Sequence, residues 1–285
     1  MEKYFDENKI LIPRQPLMVM AADYYYKVEI MEFGISHFYS FQVSPTMLKK
    51  VQLVPDCCID IMFDCSSIQP EAYCYGSLLK PRDRSYTQTL SEGKKIFGVR
   101  FLPGKGILPG GIPKSSVLDK IINLSDVMCD TTLINKIACC NDFIKQIEIF
   151  MQAYIPAYNK YMINDRKKEI YNYIVDQIIK NRGNIKVEDI SSEIGCSTRY
   201  INKIFHEVYG MSPKMFFKII RFQGVLSEFR DNIKAIDAAI DLGFTDQSHL
   251  GREFKEFTGM TPKRYREVLN DDEFKNRLII LPDSI

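Results

Sequence analysis

Apolar positions in the back half of the chain recur at helical spacing, and they do so in two matching blocks. The run Gly210-Met211-Ser212-Pro213-Lys214-Met215-Phe216 returns 49 residues later as Gly259-Met260-Thr261-Pro262-Lys263-Arg264-Tyr265. Upstream, Ile194-Gly195 corresponds to Leu242-Gly243 and Phe205 to Phe254, so two copies of one module occupy about 184–266. Each copy reads as helix, tight turn, helix. In the first, Val187, Ile190 and Ile194 line a helix that Gly195 ends; Ser197 then caps a helix with the stripe Ile201, Ile204, Phe205 and Val208, ended by Gly210. In the second, Ile236, Ala239, Ile240 and Leu242 precede Gly243, Asp246 is the cap, and Leu250, Phe254 and Phe257 form the stripe before Gly259. Ser212-Pro213 and Thr261-Pro262 each set a cap before proline at the first helical position. The first of these opens a long helix, about 213–231, that joins the modules.

The front half has a different texture. Leu17–Ala22, Gly34–Val43, Ile59–Phe63, Ala72–Leu78 and Ile96–Phe101 are rich in β-branched and aromatic residues and are separated by Pro, Gly, Asp and Ser clusters, which predicts an antiparallel β-barrel or sandwich. Leu133–Ala138 and Phe143–Tyr154 show helical spacing, with Ile144, Ile147 and Met151 as one stripe; these helices would cover the barrel or pair with a second subunit. Pro156 and the polar run Asn164-Asp165-Arg166-Lys167-Lys168 mark a hinge. The expected architecture is therefore α+β with two domains, a β-domain over 1–160 and an all-α tandem helix-turn-helix domain over 164–268, followed by a tail over 269–285.

At about 100° per residue, with Ile201 pointing inward, Arg199, Lys203 and His206 point nearly opposite and Asn202 lies on the flank. The same construction from Leu250 sends Ser248, Arg252 and Lys255 outward, with Gly251 beside them and Gln247 and His249 toward the edges. Such faces suit the major groove: Arg and Lys donate to guanine O6 and N7, Asn and Gln pair bidentately with adenine, and Ser serves either base. Gly251 would let the helix backbone approach closely. Two such units on a rigid connector could reach successive major grooves on one face of a duplex, roughly 34 Å apart.

Charge alone gives no reason to expect a nucleic acid. Lys plus Arg number 38 and Asp plus Glu 36, for a formal net charge of +2, and residues 164–285 hold 20 against 19. Binding would have to rest on where the charges sit. The eight Cys residues include two adjacent pairs, and no apolar leader follows Met1, so they read as reduced thiols of a cytoplasmic protein. No apolar run approaches the roughly 18 residues of a membrane span.

The stretch from Asp241 to Arg266, which includes Gly243-Phe244-Thr245-Asp246-Gln247-Ser248-His249 and Gly259-Met260-Thr261-Pro262, resembles the DNA-binding domain of AraC/XylS-family bacterial transcription regulators over about 164–268. Leu250 stands where that family more often has Phe. The resemblance implies seven helices, with Ser197–Val208 and Asp246–Phe257 as recognition helices. It assigns base contacts to Arg199, Asn202 and Lys203 in the first and to Gln247, Ser248, His249 and Arg252 in the second. Lys214, Lys218, Arg221, Lys255, Lys263 and Arg264 are the candidate phosphate contacts. The partners implied are double-stranded promoter DNA, a second copy of the chain as a homodimer, and RNA polymerase if the protein activates.

Many such proteins carry a cupin-like N-terminal β-domain that binds a small effector. The runs Val54-Pro55-Asp56-Cys57-Cys58-Ile59-Asp60-Ile61-Met62-Phe63 and Gly98-Val99-Arg100-Phe101-Leu102-Pro103-Gly104 resemble segments of such domains. On that reading Tyr39, Phe63, Tyr75 and Phe97 would line an effector pocket inside the barrel. Metal-dependent oxygenases share the fold, but only His37 precedes residue 163, so a catalytic metal site is not expected. No cofactor, structural metal or enzymatic activity is expected either, since there is no phosphate-binding glycine loop and no nucleophile elbow. Two alternatives remain. One is a ligand sensor or scaffold whose helical part binds protein. The other is a regulator that responds to thiol oxidation or metal through Cys57, Cys58, Cys65 or Cys74, whose spacing matches no standard Cys-x-x-Cys pair.

Overall fold

A computed structural model describes residues 13–44, 53–76, 93–118, 120–163, 165–230, 242–269 and 271–282. Strands Ala22–Glu29 (β1), Ile35–Val43 (β2), Ile59–Asp64 (β3), Glu71–Gly76 (β4), Lys95–Phe101 (β5) and Ile121–Asn123 (β6) form an antiparallel array. A further strand from the far end of the chain, Leu278–Ile280 (β7), lies parallel to β1 and completes the order β6-β4-β3-β5-β2-β1-β7. The barrel expected from the sequence is thereby corrected: the sheet is open. Among the described residues β7 takes the edge of β1 and the three-residue β6 takes the edge of β4, and no strand bridges those two ends.

The sheet is covered on both faces. Phe38, Phe63 and Phe97 point to one side, where Thr132–Ala138 (α2) and Phe143–Met162 (α3) lie; Phe150 of α3 stands edge-on to Phe38 at 5.5 Å and to Phe63 at 6.4 Å. Tyr25, Tyr39 and Phe41 stack on the other side, beside Pro16–Met20 (α1) and Phe274. Tyr39 lies so flat across β5 that a Cβ on Gly98 would come within 2.2 Å of its ring, so only glycine fits there.

Two local expectations are corrected here. Four of the six residues of Leu17–Ala22 are helical, because Pro16 supplies a helix-compatible first residue and Leu17–Met20 are all buried, which removes the alternation that marks a half-buried strand. Pro156 is no hinge: α3 runs through it to Met162, held by its buried stripe Ile147, Phe150, Met151 and Tyr154. The chain turns at Ile163 instead, and Asp165 caps the next helix by accepting from the Lys167 and Lys168 amides.

Helices Arg166–Lys180 (α4), Val187–Ile194 (α5), Thr198–Val208 (α6), Pro213–Arg230 (α7), Gln247–Thr258 (α8) and Pro262–Val268 (α9) build the back half. The helix expected around Ile236–Leu242 falls on residues 231–241, outside the described residues. Asp271–Arg277 (α10) then leads into β7, so the tail returns to the sheet. No helix among the described residues is long and apolar enough to cross a membrane.

The sheet and the first helix-turn-helix unit share one interface. The Tyr209 hydroxyl donates to the Cys57 carbonyl at 2.7 Å, the Gln223 amide donates to the Pro55 carbonyl at 2.7 Å, and the Tyr171 hydroxyl donates to the Gly104 carbonyl at 3.2 Å. All three donors are buried, so each bond satisfies a group that burial would otherwise leave costly.

Candidate nucleic-acid interface

Among the described residues, the first module and the second helix of the other take the form that their caps and stripes predict. Gly195 ends α5 in the left-handed conformation at φ 65, and the Ser197 hydroxyl accepts from the Tyr200 amide to start α6. Ile201, Ile204 and Phe205 are fully buried, with Phe205 against Tyr171 at 5.2 Å and Phe216 at 5.5 Å. In the second unit Asp246 accepts from the His249 amide at 2.7 Å, and Gly259 ends α8 at φ 68. Phe254 and Phe257 close on Phe222 of α7 at 5.5 and 5.0 Å. Each recognition helix therefore has its inward face fixed by aromatic packing, which sets the direction of the outward one.

Those outward faces are free of the protein's own packing. Arg199, Asn202, Lys203 and His206 are exposed on α6; Gln247, Ser248, Arg252 and Lys255 are exposed on α8. The Asn202 amide donates back to the Thr198 carbonyl at 2.8 Å, and Lys203 lies 3.8 Å from Glu207. A Cβ on Gly251 would meet nothing within 4 Å, so nothing in the protein itself requires glycine there. His249 differs from its neighbours. It is half-buried, packs edge-on to Phe244 at 5.5 Å, and sits 3.6 Å from Glu253.

The helical wheel missed two residues. Glu253 is buried on the inward side of α8, where Arg221 reaches it at 3.4 Å while lying over the Phe244 ring. Burial pushes the Glu253 carboxyl up, against the pull of Arg221, Lys218 and His249. Its i, i+4 spacing from His249 was the available signal. Tyr200, an aromatic side chain 38% exposed on α6, is the other. Among the phosphate candidates, Lys214, Lys255, Lys263 and Arg264 are exposed, Arg264 also pairing with Glu267 at 3.1 Å. Lys218 and Arg221 instead brace α7 against α8, Lys218 through Glu256 at 2.7 Å.

The four aromatic pocket candidates do not converge. Phe63 and Phe97 belong to the α3 side of the sheet, Tyr39 and Tyr75 to the opposite side, and all four are buried. Beside Tyr39 the structure places a buried ionic cluster that the sequence reading did not assemble. Arg100 donates to Asp60 through Nε at 3.0 Å and Nη2 at 2.8 Å, and to Asp56 through Nη1 at 2.8 Å. Tyr39 donates to Asp60 at 3.0 Å, and Gln15 donates to Asp56 at 2.6 Å. Burial pushes Asp60 up against the pull of Arg100, while the two carboxylates hold Arg100 firmly charged. Cys57, Cys58 and Cys74 are buried thiols and Cys65 is half-buried, with burial pushing all four thiols up. Among the described residues no three or more His, Cys, Asp or Glu side chains are grouped to hold a metal ion.

Residues 190–267 match the family model described as a helix-turn-helix domain. The transcriptional regulator ExsA of Pseudomonas aeruginosa is 28% identical over 94 residues, which cover 32% of this chain and 33% of that protein. An uncharacterized HTH-type transcriptional regulator of Staphylococcus aureus is 28% identical over 126 residues, which cover 42% of this chain and 16% of that protein. The chain thus spans a third or less of the length of these curated relatives. Among solved structures, ToxT of Vibrio cholerae aligns over 83% of this chain and 98% of its own, at 14% identity and a TM-score of 0.42. Residues 190–267 form a helix-turn-helix domain. Over 190–267 the chain is similar to the helix-turn-helix domain of known transcriptional regulators.

Proposed function

We propose that the chain is a sequence-specific DNA-binding transcription regulator in which α6 and α8 enter successive major grooves, roughly 34 Å apart. One observation carries the reading: two recognition helices, each locked inward by aromatic packing, each present exposed cationic and amide side chains outward. Arg199, Asn202, Lys203, Gln247, Ser248 and Arg252 read base edges, and His249 reads from the rim of the second helix. Lys214, Lys255, Lys263 and Arg264 contact phosphates, while Lys218 and Arg221 hold the second unit on the connector helix. Residues 1–160 act as the effector and dimerisation module, in the cupin-like manner the sequence resemblance implies, and 164–268 as the DNA-binding module. RNA polymerase is the further partner if the protein activates.

The test begins with a duplex selected from a random library by the full chain. Arg252→Ala and Lys203→Ala should each weaken affinity for it by about 1–3 kcal/mol, and affinity should fall steeply with salt. Wild-type affinity in both variants, or binding indifferent to salt, would sink the reading in favour of a protein-binding scaffold. Gly251→Ala supplies an independent check. Because a Cβ there meets open space, the variant should be as stable as the parent or up to about 1 kcal/mol more stable by helix propensity. Loss of duplex affinity in that stable variant would place the helix backbone against the groove; unchanged affinity would remove the close approach.

A further inference from the structure

Between α3, the 106–114 loop and the end of α6 lies a cavity of about 1020 Å³ that plays no part in the DNA-binding reading. Its walls follow from the sequence. Along α3, Phe150, Ala153, Tyr154 and Ala157 fall at helical spacing on one face, and the two alanines leave the hollow that larger residues would close. Ile107 and Leu108 face them from the loop, and Leu133 of α2 adds to the apolar lining. The lining also carries four lysines, Lys114, Lys160, Lys167 and Lys168, and two carboxylates, Asp165 and Glu207. Those carboxylates are already used, Glu207 by Lys167 and Asp165 by Lys168 at 3.4 Å.

Lys114 is the informative residue. It is only 8% exposed, and its ammonium donates to the Gly104 carbonyl at 3.0 Å and lies 5.5 Å from the Tyr171 ring. No carboxylate among the described residues pairs with it, and its charged neighbours are Lys105, already paired with Asp176, and Lys168. A buried cation facing other cations at the edge of a large apolar cavity lacks a counter-charge, which an anionic ligand would supply.

We infer that this cavity is a binding site for a small amphipathic organic monoanion, its carboxylate-like head on Lys114 and its apolar body between α3 and the 106–114 loop. The site deepens the effector reading of the proposed function and gives it a location other than the inside of the sheet. It also touches the DNA-binding half. Val208 of α6 lines the cavity, and Gly210 packs on Ser115 and Leu118, just beyond the loop. An occupied cavity therefore bears on the first recognition helix and on the Tyr171 contact together.

The test uses the full chain without DNA, so that its failure stays separate from failure of the DNA-binding reading. Octanoate and 1-octanol, equal in carbon number and different in charge, are titrated calorimetrically. Octanoate should bind more tightly than octanol by about tenfold or more, the worth of a buried charge-assisted contact. Lys114→Met should erase that preference, and Ala157→Leu, which fills the hollow and leaves the lysines in place, should abolish binding of both. Equal affinity for the two probes, an undiminished preference for octanoate in the Lys114→Met variant, or no octanoate binding to the parent would each overturn the assignment.

Discussion

Arg100→Ala should cost about 3–5 kcal/mol of stability, because it strips the guanidinium that bridges two carboxylates which stay buried. Asp56 and Asp60 are 3% and 1% exposed, and both are held by the same guanidinium, which forms a two-pronged contact with Asp60 and reaches Asp56 with its remaining arm. Without it the carboxylates repel each other in a low-dielectric setting, where Tyr39, Gln15 and the Cys58 amide are neutral donors. Lysine at 100 would not restore the geometry, since a point charge cannot hold both acids in the fork that arginine provides. Urea unfolding of the parent, Arg100→Ala and Arg100→Lys measures this directly; a loss below about 1 kcal/mol in the alanine variant would mean that the cluster contributes little. The damage should also reach the domain interface. The loop that carries Asp56 presents the Pro55 and Cys57 carbonyls to Gln223 and Tyr209, so loosening it removes acceptors from the first helix-turn-helix unit.

Lys114→Met should act in the opposite direction and in a way that depends on pH. Burial, reinforced by Lys105 and Lys168, pulls the Lys114 ammonium down to about 7 in the folded chain. In the unfolded chain an ordinary lysine titrates near 10.4. Between those values the unfolded chain binds the extra proton, so this residue lowers native stability at pH 7, and the loss shrinks as pH rises toward 10. Methionine keeps the apolar stem and removes the titration. The variant should therefore gain on the order of 2–4 kcal/mol at pH 7, and less at pH 9.5. Gly104 keeps a donor in the Tyr171 hydroxyl, so the substitution leaves no orphaned carbonyl. A gain that is absent, or equal at the two pH values, would show that Lys114 is not held as a desolvated cation.

The helical half was largely legible because its signals are local. Ser197, Asp246 and Thr261 cap helices by bonds to amides three residues on, and the glycines that end α5 and α8 sit one residue past the last helical position. The sheet was legible only where β-branched and aromatic residues cluster, as in β2, β3 and β5. β1 escaped notice because Asp23, Lys27 and Glu29 interrupt its apolar pattern, and β7 because three residues carry too little pattern to be read as a strand. The ionic cluster was illegible for a different reason. Asp56 and Asp60 lie more than 39 residues from Arg100, and only the register of β3 against β5, with Asp60 opposite Arg100, brings them together. The cationic cavity likewise draws on α3, α4, α6 and a loop, so no window of sequence contains it.

The pairing of β7 with β1 bears on how the chain folds. Tyr25 and Leu278 are partners in that parallel ladder, so the contact closes a loop of about 250 residues. Its closure entropy exceeds that of the β1–β2 hairpin by only a few kcal/mol, because the cost grows with the logarithm of length. The kinetic consequence is larger: such a contact forms only after both halves are in place. Three residues of ladder on a sheet edge also open easily. Amide exchange at Ile279 and Ile280 should therefore outpace that of β2 and β5, making the last element to join the fold the first to leave it.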